Sequence, residues 1–172
     1  GVNQVVFRIS SGAEVQCSLY LWSPRARLVV SDIDGTITKS DVMGHFMYYI
    51  GRDWTHPGVA RLFSHVVGNG YHMVYLTARA IGQVHATRDY LRKVRQERSA
   101  LPDGPVITSP DRLFQAFARE VGGSPEKFKI AALADIRRLF RPRRRPGAPR
   151  PAGRGPFYAG FGNRPNDAAS YR

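Results

Sequence analysis

Three short apolar runs, each ending in polar residues, constrain this chain more than any other feature. Leu28-Val29-Val30 leads to Ser31 and Asp32, Met73-Val74-Tyr75-Leu76 leads to Thr77, and Phe157–Phe161 leads to Gly162 and Asn163. A strand with one wet face alternates apolar and polar residues, whereas continuous apolar runs such as those at Leu28 and Met73 are expected of buried strands, covered on both faces, and Phe157–Phe161 reads as a short apolar strand. Helical patterns lie between these runs. Pro57 to Val67 places Val59, Leu62, Phe63, Val66 and Val67 at helical spacing before Gly68-Asn69-Gly70 stops it. Residues 81–96 read as helix, residues 105–108 (PVIT) as strand, and Asp111 caps a helix through Val121. Ser124-Pro125-Glu126 opens the next helix, with serine at the N-cap and proline in first position. Strands alternating with helices predict an α/β fold, a mostly parallel sheet with helices on both faces. Ahead of it, VVFRI (5–9) and VQCSLYL (15–21) alternate around Ser10-Ser11-Gly12 and predict a β-hairpin. The expected division is a hairpin lead-in over 1–27 and a catalytic α/β domain over 28–172.

The remaining composition narrows the setting. A chain of 172 residues with 42% hydrophobic content suits one core. Its one cysteine, Cys17, excludes an internal disulfide and fits a reducing compartment. No run approaches the roughly 20 apolar residues of a membrane-spanning helix. No charged-then-apolar leader opens the chain, so a signal peptide is not expected. A start at Gly1 and a stop at Arg172 suggest a piece of something longer. The net charge of +13 attracts phosphate-bearing partners, without choosing among nucleic acid, membrane and phosphorylated substrate. Eight of the arginines fall between Arg137 and Arg154, mixed with Pro and Gly. That tract reads either as a solvated loop (141–155) or as a dedicated anion patch.

In a parallel α/β sheet, ligands bind beyond the carboxyl ends of the strands. Asp32 and Asp34 fall there, two carboxylates one residue apart with Gly35 next. Along an extended segment both would point to the same side. A hard cation such as Mg2+ commonly joins one or two carboxylates to phosphate oxygens. With such charge screened, Asp32 can attack phosphorus as a nucleophile, and Asp34 can serve as general acid and then base. The plainer alternative is a solvated Asx turn. Thr77 sets a hydroxyl at the same rim, or merely begins a turn. Lys129 shares a helical stripe with Leu133, Ile136 and Phe140, so it either snorkels or serves a buried charge. Asn163 and Asp167 follow the last strand and can complete an oxygen-rich cation site, or form an ordinary turn and helix cap. His45, His56, His65, His72 and His85 show no tight ligand pairing, so zinc is not expected. Trp54 reads as core.

The order DxDGT, strand–Thr, helix Lys, strand–GNxxxD resembles the haloacid dehalogenase superfamily of aspartate-nucleophile phosphatases. SDIDGTITKSD, GRDWTHPGVARLF, NGYHMVYLTARAIG, TRDYLRKV, LPDGPVITSPDRLF, SPEKFKI and FYAGFGNRPND together resemble the catalytic half of the lipin phosphatidate phosphatase family, nearly from end to end. The resemblance implies a haloacid dehalogenase-like, Rossmann-type sheet. It implies a Mg2+-dependent hydrolase that converts phosphatidate to diacylglycerol and phosphate through an aspartyl-phosphate, in glycerolipid and triacylglycerol synthesis. By resemblance Asp32 is the nucleophile, Asp34 the general acid/base, and Thr77 and Lys129 hold the phosphoryl group. Mg2+ is then bound by Asp32, the backbone carbonyl of Asp34, and the Asn163/Asp167 end. The implied setting is cytoplasmic and peripheral at the endoplasmic reticulum membrane, with the nucleus as a further compartment, and the partner is phosphatidate in an anionic surface.

Departures also count. The family's amino-terminal region with its membrane-binding amphipathic helix is absent from these residues, and the family continues past Arg172. The catalytic domain is therefore expected to be incomplete at its C-terminus. The tract Arg141–Gly155 is longer and richer in arginine than the family's link before FYA. At Met43–Met47 the sequence MGHFM does not match the family's coactivator-type L-x-x-I-L, which weakens a transcription-coregulator role. A non-enzymatic lipid-sensing module of the same fold is one alternative, although such relatives lack the nucleophilic aspartate. Direct nucleic-acid binding rests on charge alone, with no recognition motif beside it.

Overall fold

The computed structural model describes residues 1–39, 54–109, 125–140 and 155–171. The helix expected over 111–121, the cap Ser124, His45, the MGHFM stretch and residues 141–154 of the arginine tract lie outside them.

The apolar run at Leu28 forms β3 (Arg27–Asp32). The Met73 run forms β4 (Tyr71–Ala80), and the Phe157 run forms β8 (Phe157–Phe161). With β7 (Val106–Ser109) they make a four-stranded sheet in the order β7-β4-β3-β8, parallel at every pairing. For β3 and β4 the continuous apolar runs follow from helices on both faces, whereas β8, at the sheet edge, leaves residues 158–160 exposed. Val29, Met73 and Tyr75 face one side and pack with Val59, Ala60 and Phe63 of α1 (Val59–Gly68) and Leu91 of α2 (Val84–Lys93). The residues between them, Leu28, Val30, Val74 and Leu76, face the other side and pack with Leu133 of α3 (Pro125–Leu139). Each such buried side chain stabilises the fold by about 1.5–3 kcal/mol. The sheet therefore holds β3 at its centre, with both ends of that strand fixed.

The hairpin is present as β1 (Val2–Arg8) and β2 (Glu14–Tyr20), antiparallel from Val2 opposite Tyr20 to Arg8 opposite Glu14. It touches the sheet domain through Trp22, which stacks on His72 at 4.9 Å, and through the Tyr20 hydroxyl, which donates to Asp103 at 3.3 Å.

Four local expectations change. The α1 stripe is narrower than its spacing suggests, because Leu62 and Val67 face outward. The helix expected over 81–96 is a 3-10 turn (Ile81–Gln83) followed by α2, which ends at Lys93. The chain then forms a small antiparallel pair, β5 (Arg95–Gln96) with β6 (Ser99–Ala100). Its cause is the Gln96 side chain, which donates to the Thr55 hydroxyl (2.7 Å) and the His56 carbonyl (2.8 Å) and accepts from the Ala60 N–H (3.1 Å). Those bonds hold Gln96 against the start of α1 and draw the chain out of helix. Third, β4 does not end at Thr77. It continues to Ala80, with its pairing to β7 interrupted between Leu76 and Ala80. Such irregularities re-aim side chains at sheet edges and near sites. Trp54, expected in the core, is half-buried.

Candidate active site

β3 delivers Asp32 to the carboxyl rim, where the residue is only 5% exposed. A charged carboxylate that deep needs a cation. Lys129, 97 positions later, supplies it: its Nζ donates to Asp32 Oδ1 at 2.7 Å. The same Nζ donates to Asp167 Oδ1 at 2.5 Å. Of the two readings of Lys129, the snorkelling one fails. The ammonium is buried and bridges two carboxylates, while Leu133, Ile136 and Phe140 along the same stripe pack on the sheet. Burial pulls the Lys129 ammonium toward losing its proton, but Asp32 and Asp167 outweigh that and hold its pKa above the ordinary value. Asp32 is pushed up to about 6, chiefly by burial, with Lys129 opposing and the Asp167 and Asp34 charges adding a little.

Asp167 arrives from the other edge. Strand β8 ends at Phe161, and α4 (Pro165–Ser170) begins four residues later with proline in first position. Asp167 Oδ2 accepts the Arg164 N–H at 3.1 Å, so the residue is a helix cap and a site carboxylate together. The turn between them needs Gly162: a Cβ there would lie 2.3 Å from Asp167 Cβ. Asn163 lies exposed in the same turn, beside Asp167 in sequence.

Asp34 does not share a side with Asp32. The strand stops at Asp32, and residues 33–38 fold into a turn in which the Ile33 carbonyl accepts the Ile37 N–H at 2.9 Å and the Thr38 N–H at 3.1 Å. Gly35 supplies the left-handed conformation this turn needs (φ 83°). The alternation of an extended chain therefore ends before Asp34, whose carboxylate turns to β4. There the Thr77 hydroxyl donates to Asp34 Oδ2 at 2.8 Å, and Arg79 Nη2 donates to Asp34 Oδ1 at 2.5 Å.

The rim thus holds Asp32, Asp34 and Asp167 against two cations, Lys129 and Arg79. The excess is one negative charge, and every donor in the carboxylate set is a hard oxygen. That fits a divalent cation of the Mg2+ kind. Among the described residues no three His, Cys, Asp or Glu side chains gather to cage an ion alone. An ion here would complete its shell with backbone, water or substrate oxygens, which is the habit of Mg2+.

Two contributors escaped the sequence. Arg79 stands two positions after Thr77, and the period of a strand would have found it had β4 been expected to run on. Tyr171 donates to the Phe161 carbonyl at 3.1 Å, and burial together with the Asp167 and Asp32 charges raises its pKa. No spacing marks Tyr171 in advance.

Comparison with known proteins covers the chain from end to end. All 172 residues match the family described as LNS2 (Lipin/Ned1/Smp2). The chain is 51% identical to phosphatidic acid phosphohydrolase 1 of Saccharomyces cerevisiae, with 100% of this chain and 20% of that protein covered. It is 49% identical to phosphatidate phosphatase PAH1 of Arabidopsis thaliana (100% and 18%) and 45% identical to phosphatidate phosphatase LPIN1 of Homo sapiens (100% and 19%). It spans about a fifth of the length of these curated relatives. A mostly parallel sheet and an aspartate rim bridged by one lysine accompany a match over every residue, and the chain belongs to the LNS2 (Lipin/Ned1/Smp2) family.

Proposed function

We propose that the chain carries the catalytic site of a phosphatidate phosphatase with a haloacid dehalogenase-like fold, working through an aspartyl-phosphate. The observation that supports it best is the Asp32–Lys129–Asp167 bridge at the end of the central strand. A buried lysine among carboxylates holds a nucleophile in place and offers positive charge to incoming phosphate oxygens. The relatives' printed names supply the substrate class.

In this reading an Asp32 carboxylate oxygen attacks phosphorus and the bond from phosphorus to the glycerol oxygen breaks. Asp34 gives its proton to that oxygen, and diacylglycerol leaves. Asp34 then takes a proton from water as the water oxygen attacks the phosphorus of the aspartyl-phosphate. Phosphate departs and the Asp32 carboxylate returns. Thr77 and Lys129 hold the phosphoryl oxygens, which requires the Thr77 hydroxyl to turn from Asp34 toward substrate. Bound Mg2+, held by Asp32, the Asp34 backbone carbonyl and the Asn163/Asp167 end, would supply charge neutralisation for the phosphoryl group.

Phosphatidate resides in membranes, and among the described residues no helix is long and apolar enough to cross one. Peripheral attraction of a +13 chain to an anionic leaflet, that of the endoplasmic reticulum included, is the matching arrangement. The alternative of a non-enzymatic lipid sensor is disfavoured by Asp32 and Asp34, both present and both paired. Phosphate release from phosphatidate micelles tests the reading. Release that stops with a chelator and returns with excess Mg2+ supports it, and chelator-resistant release or none at all contradicts it.

A further inference from the structure

Arg79 has no role in the chemistry above, yet it is 4% exposed beside the proposed acid/base. Its guanidinium reaches in two directions. Nη2 donates to Asp34 Oδ1 at 2.5 Å, and Nη1 donates to the Thr87 hydroxyl of α2 at 3.3 Å. Its own backbone N–H donates at 3.2 Å to the Thr77 hydroxyl, which in turn donates to Asp34 Oδ2. Both oxygens of Asp34 are therefore fixed from one strand, and the fixing group is itself anchored to a helix. The break in β4–β7 pairing between Leu76 and Ala80 covers the residues that do this.

A buried ion pair is a poor source of net stability compared with apolar packing of the same volume. Asp34 follows the end of β3 in a turn, so its side chain would otherwise choose among rotamers. The planar guanidinium, with five donors in a fixed fork, spans Asp34 and Thr87 at once, which the point charge of a lysine cannot reproduce. We propose that Arg79 is a positioning residue that sets the direction in which Asp34 presents its carboxyl to the leaving oxygen. This rests on the acid/base reading of Asp34.

A positioning role predicts dependence on the leaving group. An alkyl phosphate, such as a soluble short-chain phosphatidate, needs its departing oxygen protonated. An aryl phosphate, p-nitrophenyl phosphate, does not. The quantity to read is kcat/KM for the two substrates, which covers the steps through departure of the leaving group. In the full chain, Arg79→Ala should lose about 10²-fold on the alkyl phosphate, the scale of a misplaced catalytic group, and far less on the aryl one. Arg79→Lys should lie between it and the wild type. Thr87→Val should shift in the same direction by less.

Equal losses on both substrates would overturn the proposal, since general damage or lost phosphate binding would lower both alike. Should Arg79→Ala fail to unfold cooperatively, Arg79→Lys and Thr87→Val, which keep the site filled, decide by the same ratio. Asp34→Asn is the reference. If it shows the leaving-group split and the Arg79 and Thr87 variants do not, the role of Arg79 alone is overturned. If Asp34→Asn itself shows no split, the acid/base reading falls and the positioning role falls with it.

Discussion

Lys129 Nζ lies 2.7 Å from Asp32 Oδ1 and 2.5 Å from Asp167 Oδ1, joining the central strand to the turn after the edge strand through one buried ammonium. Lys129→Met would leave two buried carboxylates facing each other. Removing one partner from a buried ionic cluster typically costs about 3–5 kcal/mol. Urea unfolding at pH 8 should register that loss. At pH 4 the loss should shrink, because Asp32, with its pKa raised to about 6, is already protonated there in the parent and its bond to Lys129 is no longer an ion pair. Equal stability of variant and parent at pH 8 would contradict the bridge.

Asp32 itself gives the metal-free chain a signed pH dependence. Its pKa rises from an ordinary 3.8 to about 6, so the folded state holds the proton more tightly than the unfolded state does. The stabilisation from that proton is present below about pH 4 and is lost as pH rises through 6. The loss amounts to about 3 kcal/mol. With a chelator present, stability measured from pH 4 to 7 should fall more in the parent chain than in Asp32→Asn. Parallel curves would show that Asp32 is not buried as described. The Lys129 pKa is raised as well, and its stabilisation is lost only above the ordinary lysine value of 10.5, outside this window.

Gly162→Ala should damage the site from a residue that carries no chemistry. Its Cβ would meet Asp167 Cβ at 2.3 Å, and overpacking of this kind costs about 1–3 kcal/mol. Asp167 would also move from Lys129, so phosphate release should fall with stability. Gly82→Ala, with nothing within 4 Å, is the control and should change neither. Unaltered activity in Gly162→Ala would mean that Asp167 need not sit where it does.

The arginine tract makes a prediction on charge alone. Basic residues near an anionic surface contribute about 1 kcal/mol each, and salt screens them. Changing Arg143, Arg144, Arg145 and Arg150 to Ser should weaken sedimentation with phosphatidate-containing vesicles, most clearly at low salt. Turnover of a soluble short-chain substrate should hardly change. Unchanged vesicle binding would return the tract to a solvated spacer.

Where period and burial agree, the chain was legible. Leu28–Val30 and Met73–Leu76 are strands because their continuous apolar runs need cover on both faces, and α1 and α3 provide it, whereas Phe157–Phe161 is a strand at the sheet edge whose residues 158–160 stay exposed. Lys129 was legible as an anomaly, a charge on an apolar stripe. The 81–96 segment misled because helical period says nothing of Gln96, whose side chain finds its partners 36 to 41 residues away. Asp34 misled because strand alternation was carried one turn too far, past the Gly35 bend. Arg79 and Tyr171 were missed for the same reason. Their partners are set by how strands and helices meet, and no local pattern encodes that.

The most direct test of the account is the fate of Asp32 during turnover. The chain is mixed with short-chain phosphatidate and Mg2+, quenched in acid within the first turnovers, and the peptide containing Asp32 is weighed by mass spectrometry. The account predicts a phosphoryl group on Asp32 in the parent chain. It predicts a larger labelled fraction in Asp34→Asn if hydrolysis of the intermediate is slowed more than its formation. In Asp32→Asn it predicts neither label nor phosphate release, with the thermal transition retained. Phosphate release from Asp32→Asn at the parent's rate, or labelling at another residue, would contradict it.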